Sequence, residues 1–396
     1  MKLLFALVFI FSIVILGSWN VSASSDFNVL DYGAIGNGKV DDSQAFLKAW
    51  KDVCGTMDGI PTLHVPIGKT FMLNPLKFEG PCKSKRVNIE LKGTIIAPSK
   101  SAWPNVSKEK WIQFFDINGL TLNGTGQFDG QGSFWWEDCH SNCQTPTALS
   151  FHNCNGLQLK ETKHINSGKN HISIEASNDA IISDIHIIAP EDSLNTCGIN
   201  ISKSNNILIQ NSVMETGDDC ITLYNGSSNI NIVGVTCGLG HGISIGSLGG
   251  DREYNMVENI YVSNCLLKGT QNGLRIKTLE GGYGYARNIT FEKITLMGTQ
   301  NPIIVDQDYS TFAYSRKAKA MNIKVKDVIF SEIHGTSTSQ NAIVLNCCEA
   351  GCSNIVMKNV SIMPSTPGKE VQAFCQNVNG REESTVPNVP CLSKSN

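Results

Sequence analysis

Asn206-Ile207-Leu208-Ile209, Asn229-Ile230-Asn231-Ile232, Asn259-Ile260-Tyr261-Val262 and Asn288-Ile289-Thr290-Phe291 repeat one pattern, an asparagine followed by a short β-rich run. Earlier copies are Asn118-Gly119-Leu120-Thr121-Leu122, Asn155-Gly156-Leu157-Gln158-Leu159 and Asn178-Asp179-Ala180-Ile181-Ile182. Later ones are Asn322-Ile323-Lys324-Val325 and Asn354-Ile355-Val356-Met357. Successive asparagines lie 37, 23, 28, 23, 30, 29, 34 and 32 residues apart. One β unit per turn at such a period is the mark of a solenoid. Within each run Ile, Leu and Val alternate with polar residues, so one face is buried and the other is not. No amphipathic helix of 10–12 residues intervenes, which argues against a doubly wound α/β sheet. The expected fold is all-β: a right-handed parallel β-helix with about three short strands per coil and turn asparagines stacked in ladders. A β-sandwich of short strands is the competing architecture, but sandwiches do not repeat Asn-Ile at this period.

Working outward, an open solenoid end exposes strand edges. Asp42–Val53 places Ala45, Phe46, Ala49, Trp50 and Val53 at helical spacing, and this helix is expected to cap the N-terminal end. Before it, Met1-Lys2 opens an apolar run to Leu16, too short for a membrane span of about 20 residues. Val21-Ser22-Ala23 supplies small residues for cleavage, so residues 1–23 read as a secretory signal peptide and 24–396 as one domain. The mature protein is expected to be soluble, exported and monomeric. Loss of Lys2 from 32 basic residues, against 35 acidic ones, leaves a net charge of −4. With no basic run, that excludes general nucleic-acid binding and implies no membrane partner. Fourteen cysteines in an exported chain point to disulfides rather than a metal site. Cys54 with Cys82, Cys347 or Cys348 with Cys352, and Cys375 with Cys391 are plausible closures. Sequons stand at Asn105, Asn123, Asn200, Asn225, Asn288 and Asn359, each a candidate glycan site.

The residues that carry chemistry come in order: Asn195-Thr196, Gly217-Asp218-Asp219-Cys220, Gly240-His241-Gly242 and Arg275-Ile276-Lys277. A lone Asp-Asp pair is weak, since most such pairs are solvated turns. Gly217 allows a bend that can aim both carboxylates into one groove. Arg275 and Lys277, two apart in a β run, project from the same face and suit an acidic sugar; Arg grips a carboxylate bidentately and Lys acts as a point charge. His64, His140, His152, His164, His171, His186 and His334 have no such context and read as structural or surface residues.

At these motifs, and at Phe27–Gly38, the chain resembles the plant-type polygalacturonases of glycoside hydrolase family 28, from about Phe27 to Cys391. The resemblance implies that Asp218 is the general acid, Asp219 a base, and His241 the residue supporting the acid's proton. It implies Arg275, Lys277, Tyr309 and Asn195 as substrate-binding residues and pairs Cys220 with Cys237. It implies no cofactor and no metal. Inverting hydrolysis of this kind sets the two carboxyl groups roughly 6.5–9.5 Å apart, with water between. One position departs: the family pattern Asn-Thr-Asp-Gly is here Asn195-Thr196-Cys197-Gly198. A thiol of pKa about 8.5 is a poor base at acid pH. The implied function is hydrolysis of α-1,4-galacturonosyl bonds of homogalacturonan, a pectin, in the cell wall. The alternative is a weakly active or inactive pectin-binding protein on the same scaffold. A pectate lyase would need a Ca²⁺ site and an arginine base, and the His-Gly and Arg-Ile-Lys elements do not fit it.

Overall fold

The computed structural model describes residues 25–137, 143–250, 253–309, 322–349 and 351–394. The leader expected over 1–23 and His140 lie outside these residues. The chain winds as a right-handed parallel β-helix. Ile172–Glu175, Asn178–Ser183 and His186–Ile188 form one coil; Ile199–Ser202, Asn205–Gln210 and Val213–Glu215 form the next. Each strand pairs in parallel with its counterpart one coil on, as in Ile172↔Ile199 and Ala180↔Ile207. The parallel ladders rule out a sandwich of hairpins.

The sequence explains the winding. Inward positions stack as aliphatic columns, for example Ile172, Ile199, Ile221, Ile243, Leu274, Ile303 and Ile343, all fully buried. The neighbouring inward column, that of Ile174, Ile201 and Leu223, turns aromatic toward the N-terminus, with Phe78, Phe114 and Phe151 stacked at 5.1 and 4.8 Å. Bends need left-handed backbone, which Asn and Asp tolerate better than other side chains. Asn206, Asn229, Asn259 and Asn288 sit there, at φ of 58°, 53°, 58° and 54°. Their amides form the expected ladder: Asn259 Nδ2 donates to Asn229 Oδ1 (2.9 Å) and Asn288 Nδ2 to Asn259 Oδ1 (2.7 Å).

Two repeats are corrected. Asn178 pairs with Asn205, and the counterpart of Asn206 is Asp179, at φ 58°, whose Oδ1 accepts from Asn206 Nδ2 at 2.6 Å. Asn322 is not the counterpart of Asn288; Asp327, at φ 55°, is. Val328 pairs with Ile289, while Ile323 pairs five positions earlier with Gly284. Asn354 then donates to Asp327 Oδ1 at 2.9 Å, because a carboxylate accepts in the ladder as well as an amide oxygen does.

The helix expected over Asp42–Val53 is α1, Ser43–Gly55, and buries the five apolar residues anticipated for it. Phe46 meets Phe71 edge-on at 5.4 Å and Trp50 meets Phe78 at 5.2 Å, which covers the first coils. Cys54–Cys82 ties its C-terminal end. Cys220–Cys237, Cys347–Cys352 and Cys375–Cys391 also form, leaving Cys348 as a free thiol. No helix among the described residues is long and apolar enough to cross a membrane.

The face that matters is an eleven-stranded parallel sheet running from Leu76–Glu79 to Gln372–Gln376. Its outward residues align coil upon coil. Asn200, Thr222, Ser244 and Arg275 form one such column. Asn200 is buried in that floor, so it is a poor place for a glycan despite its sequon.

Candidate active site

The site is built on four successive coils of this sheet, those of Ile199–Ser202, Ile221–Leu223, Ile243–Leu248 and Asn272–Thr278. Asp218 and Asp219 lie on the bend entering Ile221–Leu223. Gly217 is required here for space: a Cβ on it would lie 2.1 Å from Ser193 O. Gly217 N donates to Thr196 Oγ1 at 3.0 Å, which ties this bend to the Asn195–Cys197 turn. His241 stands on the next coil between left-handed Gly240 and Gly242 (φ 49° and 72°). A Cβ on Gly240 would lie 2.3 Å from Asp218 O. Gly217 and Gly240 are therefore each dictated by the close approach of a neighbouring coil, Ser193 to Gly217 and Asp218 to Gly240.

The adjacent carboxylates have different fates. Asp219 points into a buried cluster with its side chain 3% exposed. Its Oδ1 accepts from Arg275 Nη2 (2.6 Å) and Ser244 Oγ (2.7 Å). Its Oδ2 accepts from Lys277 Nζ (3.0 Å) and Thr222 Oγ1 (3.2 Å). Arg275 Nε also donates to Ser244 Oγ at 3.0 Å. A carboxylate offers about four lone-pair positions, so Asp219 is saturated. Asp218 is more open, its side chain 22% exposed, with Oδ1 2.8 Å from His241 Nδ1. Burial pushes its carboxyl up, but the hydrogen bond and charge of His241, the Asp219 amide and Lys277 outweigh that and hold it below the usual range.

Cys197 occupies the third corner. Its Sγ and one oxygen from each carboxylate all lie within 4.8 Å of one another. It is a buried free thiol and takes part in no disulfide. Burial first, then the charges of Asp218 and Asp219, push it well above the ordinary thiol range, so it stays neutral. Beneath it His171 donates from its backbone N–H (2.8 Å) and Nδ1 (3.1 Å) to Cys197 O. Burial drives that ring down to about 4, so it is a neutral positioning group. Cys197, Asp218 and Asp219 have the spacing of metal ligands, but a dication would have to displace Arg275 and Lys277 from Asp219.

The structure therefore gathers Asp218, Asp219, His241, Arg275, Lys277 and Cys197. Tyr309 joins them, with Lys277 Nζ 5.6 Å from its ring centre. Asn195 does not enter the cluster; it stands exposed on the turn before Cys197, at φ 58°. Sequence reasoning missed Ser244 and Thr222, whose only signal is their register in the column below Arg275. It also missed the wall beside His241, a cavity of about 490 Å³ that includes Gln271, Gln300 and Thr338.

Comparison with known proteins settles the family. Residues 54–386 match the model of "Glycosyl hydrolases family 28". The chain belongs to this family. A probable polygalacturonase of Arabidopsis thaliana is 47% identical over 94% of this chain and 82% of its own length. A polygalacturonase of Persea americana is 39% identical over 91% of this chain and 79% of its own. Among solved structures, an endo-xylogalacturonan hydrolase from Aspergillus tubingensis superposes with a TM-score of 0.77 at 22% identity, covering 89% and 96% of the two chains. Within the family frame, the buried Asp219 cluster is what this chain's sequence pattern constructs.

The Asp219 cluster makes a prediction about stability. Asp219→Asn keeps the shape but strands two buried cations, and breaking such a pair costs about 3–5 kcal/mol. Urea denaturation should show a loss of that order. An unchanged midpoint would mean that the cluster is not held together by charge.

Proposed function

We propose that this protein is a polygalacturonase that hydrolyses α-1,4-galacturonosyl bonds of homogalacturonan with inversion, as a secreted monomer in the cell wall. The observation that carries the reading is the split between the two carboxylates, one coupled to a histidine proton and one a buried anion flanked by cations. The 47% identity to a probable polygalacturonase supports the substrate.

Asp218 donates its proton to the glycosidic oxygen as the C1–O bond breaks, and His241 at 2.8 Å orients its carboxyl. A water attacks C1 from the other side and passes its proton to Asp219. Asp219 is saturated, so it must lose a donor first. A uronate carboxylate supplies the means: by taking Arg275 and Lys277 for itself, it releases lone pairs on Asp219 and makes that group a stronger base. Binding of the acidic sugar and activation of the base are then one event. The closest oxygens of Asp218 and Asp219 lie within 4.8 Å, nearer than the 6.5–9.5 Å spacing expected for inversion. Such closeness is typical of a nucleophile pair. However, attack by Asp219 on C1 would require clearing an oxygen of both its donors, whereas accepting a proton needs one lone pair. Inversion is the easier use of this geometry.

Cys197 supports the reading of a slower enzyme. The neutral thiol activates no water, and it removes the like charge that would help to keep a proton on Asp218. Asp218 is held low by His241, the Asp219 amide and Lys277, and its protonated fraction grows as pH falls. Release of reducing ends from polygalacturonate should accordingly rise as pH is lowered from neutral into the acid range. Asp218→Asn should cut it by about 10²–10⁴-fold. Retention of more than about a tenth of wild-type turnover would remove Asp218 from the acid's role.

Restoring a carboxylate is the complementary test. Cys197→Asp is nearly isosteric at a free thiol. It should raise turnover by about ten- to a hundredfold, equivalent to ~1–3 kcal/mol of transition-state stabilisation. It should also extend activity to higher pH, because a third negative charge raises Asp218. A variant no faster than wild type, with the same pH profile, would contradict the role given to this position.

A further inference from the structure

The groove floor is not symmetrical about the site. Toward the N-terminus the outward column beside Thr222 continues through Asn200, Ser173, Ser150 and Gln113 to Lys77, all polar. Lys110 begins one of these strands and Lys203 follows another. Glu79 and Glu175 partner Lys77 and Lys203, at 2.7 and 3.3 Å, but Lys110 adds positive charge; its field lowers Glu175 together with that of Lys203.

Toward the C-terminus the same column changes character at once. Arg275 is followed by Ile304, Val344 and Phe374, in strict register. Ile304 and Val344 are half-buried, and Phe374 is 46% exposed. The parallel column after Lys277 reads Asp306, Asn346 and Gln376, with Asn346 Nδ2 donating to Asp306 Oδ1 at 2.9 Å. The strands concerned, Asn301–Asp306, Asn341–Asn346 and Gln372–Gln376, contain no lysine or arginine. The wall is amide and hydroxyl, with Gln271, Gln300 and Thr338 lining the cavity beside His241. Lys369 stands farther out on a wall loop next to Glu370. Three coils separate Arg275 from Phe374, ~14 Å at the usual strand spacing.

Among the described residues, a polyanion laid along this arm would meet apolar side chains and the Asp306 carboxylate, with no cation on the floor. A methyl-esterified uronate carries no charge and presents a methyl group, which gains from apolar contact where a carboxylate would pay for desolvation. The amides on the wall serve its hydroxyls. We propose that the C-terminal arm of the groove, floored by Ile304, Val344 and Phe374, takes methyl-esterified uronate units, while free uronate is required at Arg275 and Lys277. This inference rests on the polygalacturonase reading and specifies its substrate as partially esterified pectin. It is carried by the continuity of the apolar column with the catalytic column, coil by coil.

The test uses the full mature protein and homogalacturonan oligomers of matched length, either unesterified or partially methyl-esterified. Calorimetry should give tighter binding of the partially esterified oligomers by about tenfold, equivalent to ~1.4 kcal/mol. Val344→Lys places a cation on the outward floor without entering the catalytic cluster. It should reverse that preference, and Phe374→Ala should weaken binding of the esterified ligand alone. Equal or tighter binding of the unesterified oligomers by wild type, with Val344→Lys no different, would overturn the proposal. Because binding is read directly, this outcome is independent of turnover. Failure of wild type to cleave any of these oligomers would instead count against the polygalacturonase reading. Should Val344→Lys not fold, Phe374→Ala against the same ligand pair decides the matter.

Discussion

Successive strands of the sheet beneath the site lie one above another, hydrogen-bonded in parallel, with the Asn200, Thr222, Ser244 and Arg275 positions aligned, and the rest of the molecule depends on that constraint. Strand spacing is set by the backbone at ~4.8 Å, so residues far apart in sequence become stacked neighbours. Inward, this produces aliphatic columns that bury a continuous core. At the bends it produces ladders of Asn and Asp in left-handed conformation. Outward, it converts a set of single residues, one per coil, into a groove floor. Arg275 reaches Asp219 across 56 positions of sequence because they lie only two coils apart.

The site is a balance of charge in which each group sets its neighbour. Arg275 and Lys277 both pair with Asp219 while nearly all of it is out of water. Two cations against one buried anion would be wasteful as structure alone, since a hydrophobic cluster of similar size costs less. The arrangement makes sense if the cations are shared with an acidic ligand that arrives later. Asp218, less buried, is governed by His241. Cys197 alters this balance by subtraction: a neutral thiol stands at a corner where a carboxylate would add both a base and a repulsive charge.

Much of this was legible in the sequence, and the limits are physical. The Asn-Ile period and the apolar alternation determine the coil, and α1 follows from the spacing of Ala45, Phe46, Ala49, Trp50 and Val53. The assignment of Asn322 failed because the ladder position is defined by left-handed backbone, which Asp327 satisfies equally well. Gly217 was read as allowing a bend; the structure adds that a side chain there would meet Ser193 O. Arg275 and Lys277 do share one face, but periodicity could not show that they are bound to Asp219. Ser244 and Thr222 carry no motif; they matter only through register with Arg275, which is a property of the stacked coils. The apolar arm of the groove was hidden for the same reason, since Ile304, Val344 and Phe374 are remote in sequence and adjacent in space.

The central claim is that Asp218 gives a proton and Asp219, freed by a uronate, takes one from water. The anomeric configuration of the first product tests it directly. Proton NMR during early hydrolysis of an α-1,4-linked oligogalacturonate resolves the newly formed reducing end before it mutarotates. The account predicts that the β-anomer appears first and the α-anomer grows in later. Appearance of the α-anomer first would make Asp219 a nucleophile and contradict the account.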